Sequence, residues 1–151
     1  MYMEIKELGH VVLYVHELER SRRFYENILG WRSIPVSFGG RAAMFSSGRT
    51  HHELLLLEVG PDAAPVPAGS RLGMYHFGLK VGESDDELRD ALVILKEHDV
   101  KVVGTSDHGV THSLYIEDPD GNEIELYIDV QPAVWKEHPE AVGAMPRPLS
   151  L

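Results

Sequence analysis

The chain contains no cysteine, which excludes disulfide staples, a thiolate nucleophile and any metal centre built on thiolates. It also lacks a basic cluster, with 24 acids against 14 Lys and Arg and a net charge of −10. Nucleic acid and anionic membranes are therefore poor partners. No apolar run approaches the roughly 20 residues of a membrane span. The opening Met1-Tyr2-Met3-Glu4-Ile5-Lys6 has no run of signal-peptide length. These absences predict a cytoplasmic protein. Histidine, by contrast, is in unusual supply, with nine copies among 151 residues. The length suits about one domain, and the 43% hydrophobic content is ample for a core.

Hydrophobic periodicity orders the chain into two similar halves. Residues 5–15 contain an alternating strand with Val11, Leu13 and Val15 on one face and His10, Val12 and Tyr14 on the other. A helix is predicted from about Glu19, with Leu18, Phe24, Tyr25, Ile28 and Leu29 on one face and Gly30 as its stop. Strands follow over 31–38, 41–46 and 51–59, the first two joined at Gly39-Gly40. Residues 60–71 are a Pro/Gly/Ala-rich linker, after which the pattern restarts. A strand is predicted over 72–81, a helix over 85–98 and a strand over 100–105. A hairpin over 113–130 closes the pattern, turning at Asp118-Pro119-Asp120-Gly121-Asn122.

Laid over each other, His10-Val-Val-Leu-Tyr-Val-His-Glu and His76-Phe-Gly-Leu-Lys-Val-Gly-Glu align without a gap. This marks a duplicated supersecondary unit. The expected fold class is α+β: two βαβββ modules forming a curved mixed sheet, with a concave face inside and the helices outside. Module one spans about 5–60 and module two about 72–130 of a single domain over 1–130, with a Pro-rich tail over 131–151. By strand parity the inner face carries His10, His52, His76, Tyr115 and Glu125. Val11, Leu13, Leu55, Leu57, Phe77, Leu79, Ile124 and Leu126 are expected to face the helices.

A single histidine on such a strand is usually a surface or satisfied core residue. Two at repeat-equivalent positions, with an inward glutamate on the last strand, point instead to a metal. Two imidazoles and one carboxylate form a facial triad with open coordination positions. Such a triad suits a divalent non-haem metal, Fe(II) above all, with Mn(II), Co(II), Ni(II) or Zn(II) as alternatives. The predicted metal ligands are His10, His76 and Glu125.

The segments Gly9-His10-Val-Val-Leu-Tyr-Val15, Ser21-Arg-Arg-Phe-Tyr25, Tyr75-His76-Phe-Gly-Leu79 and Asp118-Pro-Asp-Gly-Asn-Glu-Ile-Glu-Leu126 resemble the vicinal oxygen chelate superfamily. That resemblance implies paired modules around a metal-binding cup, and often a homodimer. Three further positions resemble those of small type I extradiol ring-cleaving dioxygenases. His52 stands where that family has its acid–base histidine, and Tyr115, ten residues before Glu125, where it has its active-site tyrosine. His108-Gly109-Val110-Thr111 resembles its His-Gly-Ile-Thr segment, although His108 lies closer to Tyr115 than in larger members, which leaves His112 as the alternative. The implied activity is Fe(II)-dependent insertion of O2 into a catechol-type aromatic diol, with His52, Tyr115 and His108 as catalytic residues.

Glyoxalase-like and epimerase-like isomerases, fosfomycin-type transferases and metal-free resistance proteins share the same fold. The isomerases typically take a further ligand from the last strand of module one. Here either register sets a leucine, Leu54 or Leu55, opposite Glu125. A phosphonate clamp would have to come from Arg41, Arg49 and Lys80. Metal-free binders usually lose the ligands that this chain keeps. In the tail, Trp135 is the candidate anchor, over the cup or onto a second subunit.

Overall fold

The structure, a computed structural model, describes residues 2–36 and 39–151. The chain divides into two compact units, Met1–Pro65 and Val66–Leu151. The first unit contains β1 (Val11–Val15), α1 (Leu18–Arg23), β2 (Ser33–Ile34), β3 (Ala42–Phe45) and β4 (Leu54–Glu58). Its sheet runs β1-β4-β3-β2, with β1 and β4 parallel and the other pairs antiparallel. The end of the strand predicted over 31–38, at Ser37 and Phe38, lies outside the described residues.

The helix begins where the Leu18 amide donates to the Glu58 carboxylate across 2.8 Å. It widens into a π-helical turn over Phe24–Ile28, where the Leu29 amide reaches back to the Phe24 carbonyl. Gly30 then leaves the helix at a φ of +69°, a left-handed conformation that only glycine adopts at little cost. Leu18, Ser21, Phe24 and Tyr25 are buried, and Phe45, Leu54 and Leu56 are also buried in this unit.

The second unit contains β5 (His76–Gly82), α2 (Asp85–Glu97), β6 (Val102–Asp107), β7 (Thr111–Glu117), β8 (Glu123–Asp129) and the short α3 (Pro132–Glu137). Its sheet runs β5-β8-β7-β6, with β5 and β8 again parallel. Ser84 caps α2 by accepting from the Glu87 amide, and the Glu87 carboxylate accepts in return from the Glu83 amide and the Ser84 hydroxyl. Acids fill the first turn of α2 and Lys96 its last, which complements the helix dipole. Leu88 and Leu95 on α2, with Leu114, Ile116, Ile124, Leu126 and Ile128 on β7 and β8, are all buried. Leu88→Ala, which truncates a side chain of zero exposure, is expected to cost about 2–5 kcal/mol in a urea melt. A loss under about 1 kcal/mol would show that this helix carries little of the core energy.

The α+β class and the two strand–helix–three-strand modules are as the periodicity predicts, each module holding its own four-stranded mixed sheet. One facing assignment is overturned. Leu54 and Leu56 are fully buried, whereas Leu55 and Leu57, expected against the helix, are only half-buried. The reason lies in the pairing. Val11 and Leu13 sit opposite Leu54 and Leu56, so those four side chains share the helix-facing side. His52 precedes the strand, in irregular backbone, and does not share its parity.

Candidate functional site

In the second unit the β7–β8 hairpin sets the geometry. At its turn, Asp118 accepts hydrogen bonds from the Asp120 amide (2.9 Å), the Asn122 amide (2.8 Å) and the Asn122 side chain (2.9 Å). Gly121, at a φ of +86°, completes the reversal. The turn fixes the register in which Tyr115 faces Glu125 and Ser113 faces Tyr127. β8 then alternates strictly: Ile124, Leu126 and Ile128 go into the core while Glu123, Glu125, Tyr127 and Asp129 take the other face.

On that face the Glu125 carboxylate collects four neighbours. One oxygen accepts from the Ser113 hydroxyl at 2.6 Å and from the Tyr115 hydroxyl at 3.1 Å. The other stands 3.3 Å from His76 Nε2. His108 Nε2 lies 2.8 Å from the Tyr115 hydroxyl and 3.9 Å from Glu125. Burial, and then the Glu125 charge, push the Tyr115 phenol up to about 12, so it keeps its proton at neutral pH.

Behind His76 stands a second carboxylate. In the parallel β5–β8 pairing His76 sits opposite Glu123, whose carboxylate is 3.6 Å from Nδ1. That separation is too long for a hydrogen bond, and both atoms are buried without a hydrogen-bond partner. A hydrogen bond to the Glu123 carboxylate raises the Tyr75 phenol above its ordinary range.

A cavity of about 450 Å³ opens beside these groups. His76, His108, Tyr115 and Glu125 form its polar side. Val110, Trp135 and Val142 supply apolar surface. His112, the alternative to His108, does not line it. It pairs instead with Asp85 at 2.6 Å and faces Asp107 at 3.7 Å. Lys80 is engaged by Asp129 and Glu83, both at 2.8 Å, which together hold its ammonium above the ordinary range.

In the first unit His10 stacks near His52, with ring centroids 4.5 Å apart. His51 and His52 approach to 2.6 Å between their Nδ1 atoms, one ring donating to the other. Burial, and then the neighbouring His10 and His51 rings, lower the His52 pKa, which favours the neutral imidazole. Arg49 is committed to Glu7 and to the carbonyls of Leu8 and Gly9, and Arg41 to Glu58. The three cations considered for a phosphonate clamp are thus all paired with acids.

The predicted residues therefore gather as two sets: His10 with His52, and His76, His108, Tyr115 and Glu125. Among the described residues, no three His, Asp or Glu side chains form a ready cage for a metal ion. The sequence left two participants without a role, Ser113 and Glu123. Their signal was strand parity, since each stands two residues from a predicted site residue on the same face.

The sequence pattern of the Glyoxalase/Bleomycin resistance protein/Dioxygenase superfamily matches residues 7–126. A catechol-2,3-dioxygenase of Bacillus subtilis is 36% identical over 133 residues, covering 88% of this chain and 45% of the relative. The chain thus spans less than half the length of that protein. A biphenyl-2,3-diol 1,2-dioxygenase of Rhodococcus globerulus is 33% identical over 82% of this chain and 63% of its own. Relatives named methylmalonyl-CoA epimerase and lactoylglutathione lyase also match. A crystal structure of a glyoxalase/dioxygenase from Nostoc punctiforme superposes with a TM-score of 0.70 at 22% identity, covering 82% of this chain and 91% of that one, which speaks to the fold. The chain belongs to the glyoxalase/bleomycin resistance/dioxygenase superfamily.

Proposed function

We propose that this chain is an extradiol-type dioxygenase that opens the ring of a catechol-like diol with O2. The divalent metal would be held by His10, His76 and Glu125, with Fe(II) first among the candidates. The observation that carries this reading is the Tyr115 hydroxyl, 2.8 Å from His108 and 3.1 Å from Glu125 at the wall of a cavity. A phenol between an imidazole and a carboxylate is suited to manage the proton of an incoming hydroxyl group. The names of the Bacillus and Rhodococcus relatives point the same way.

Two of the three proposed ligands carry donors of the type that a divalent metal takes. His76 and Glu125 offer an imidazole nitrogen and a carboxylate oxygen 3.3 Å apart. The Nδ1 of His76 stands 3.6 Å from the Glu123 carboxylate, both atoms lacking a hydrogen-bond partner, so a small approach of the two would let Glu123 orient a ligating histidine from behind. Oxygen and imidazole donors suit Fe(II) or Mn(II). When bound, the ion would supply Lewis-acid and redox chemistry.

The chain's own groups would divide the remaining work. Tyr115, protonated at neutral pH, would hydrogen-bond one diol oxygen. His108, in contact with the Tyr115 hydroxyl, would accept or return a proton there. His52, with its neutral form favoured, would act as the base for the oxygen-insertion step. In the observed pairings, Val12 meets Leu55 as Gly78 meets Glu125. A leucine therefore stands where a four-ligand isomerase would need a carboxylate, which favours the dioxygenase. A homodimer is the expected assembly.

The test is anaerobic reconstitution with Fe(II), followed by 2,3-dihydroxybiphenyl or catechol in oxygenated buffer. A yellow ring-opened product that depends on iron and is lost in His52→Ala is expected. No oxygen uptake across a broad catechol panel, with iron bound stoichiometrically, would sink the assignment. Glu123→Gln is expected to weaken Fe(II) binding about 10–100-fold by calorimetry, because it removes the charge behind His76. Unchanged affinity would show that Glu123 does not orient the ring.

A further inference from the structure

The tail is fastened at both ends of its course. At its start the Val130 amide donates to the Val110 carbonyl at 2.9 Å. At its far end Asp107 and Arg147 form an antiparallel bridge with reciprocal amide–carbonyl bonds of 2.9 and 2.8 Å. The Arg147 guanidinium adds a 3.0 Å ion pair to the Asp107 carboxylate, and Leu149 accepts from the Thr105 hydroxyl at 2.7 Å. Between these anchors, Trp135 on α3 and Val142 in the following 3-10 turn line the cavity. α3 buries no side chain, and Trp135 remains 37% exposed. Its indole is therefore not spent on the core; it is apolar surface held at a cavity wall.

The superfamily pattern ends at residue 126, before this wall begins. The polar groups His76, His108, Tyr115 and Glu125 lie within the matched pattern, whereas Trp135 and Val142 lie beyond its end. A cavity of about 450 Å³ lies within the range of pockets that take drug-sized ligands. A lone catechol ring would leave much of it unfilled.

Building on the dioxygenase reading, we propose that Trp135 determines specificity, its indole packing against an apolar or aromatic substituent on the diol. The diol itself would sit toward Tyr115 and Glu125. The preferred substrate class is then an aryl- or alkyl-substituted catechol rather than catechol itself. Flat aromatic faces stack with a gain beyond simple area burial, so tryptophan suits an aryl substituent in particular.

The full chain, anaerobic and both with and without Fe(II), is titrated by calorimetry with 2,3-dihydroxybiphenyl and with catechol. The biaryl diol is expected to bind about tenfold more tightly. In Trp135→Ala that preference should fall to about twofold or less, with catechol affinity unchanged, while Trp135→Phe keeps most of it. Melting curves establish that each variant is folded. A preference that survives in Trp135→Ala, or failure of both diols to bind, overturns the proposal. A Trp135-dependent preference without ring opening in the iron-loaded protein would sink the dioxygenase reading and leave the wall intact. Ring opening with a Trp135-independent preference would do the reverse.

Discussion

Glu125→Gln is expected to lower divalent-metal affinity at least about 100-fold and to abolish turnover, a larger loss than the about 10–100-fold expected for Glu123→Gln behind His76. Two effects combine. The substitution removes the only anionic member of the proposed ligand set. The amide also has a favoured orientation, because Ser113 and Tyr115 both donate to the same oxygen, at 2.6 and 3.1 Å. With the amide oxygen in that place both donated bonds are kept. Its NH2 group then points to where the other carboxylate oxygen stands 3.3 Å from His76 Nε2, and donates to the lone pair that a metal would need. One substitution would thus disable two ligands. Calorimetric titration with Fe(II) reads the affinity, and a melting curve close to wild type shows that β8 is intact. Wild-type affinity in this variant would exclude Glu125 as a ligand.

Tyr115→Phe is expected to reduce kcat/KM by about 10²–10³-fold while metal affinity stays within a few-fold of wild type. The ring remains, so packing changes little. What goes is the hydroxyl that bonds both His108 and Glu125. The phenol is held up to about 12, by burial first and Glu125 second, so the group lost is a proton donor over the whole neutral range. Steady-state kinetics with 2,3-dihydroxybiphenyl, paired with an Fe(II) titration, separates catalysis from binding. Full activity would remove Tyr115 from the mechanism. Loss of metal together with activity would make it a support for Glu125 alone.

Much of the fold was legible because its strands alternate. Ile124, Leu126 and Ile128 against Glu123, Glu125, Tyr127 and Asp129 leaves a single choice of face. The repeat was legible because His10 and His76 recur at matching points at the start of matched strands. The Leu54–Leu57 run was not legible in this way: four consecutive leucines carry no period, so only the pairing with Val11 and Leu13 fixes which two are buried. The choice between His108 and His112 was likewise closed to the sequence. It depends on the loop from β6 to β7, where Gly109 turns at a φ of +82° and its amide caps Asp107. That loop sets His108 at the cavity and leaves His112 with Asp85. Glu123 could be placed on a face but not opposite His76, since that depends on the register between β5 and β8. The tail has no periodicity, and its course rests on backbone bonds at Asp107 and on the Thr105 hydroxyl.

Those bonds also bear on the open edge of the second sheet. β6 is the outermost strand of its sheet, with Val102 and Val103 exposed. A bare strand edge of this kind is a template on which another chain can add itself and begin to aggregate. By pairing Arg147 with Asp107 and Leu149 with Thr105, the chain occupies part of that edge with its own last residues, so the segment that walls the cavity also guards the sheet.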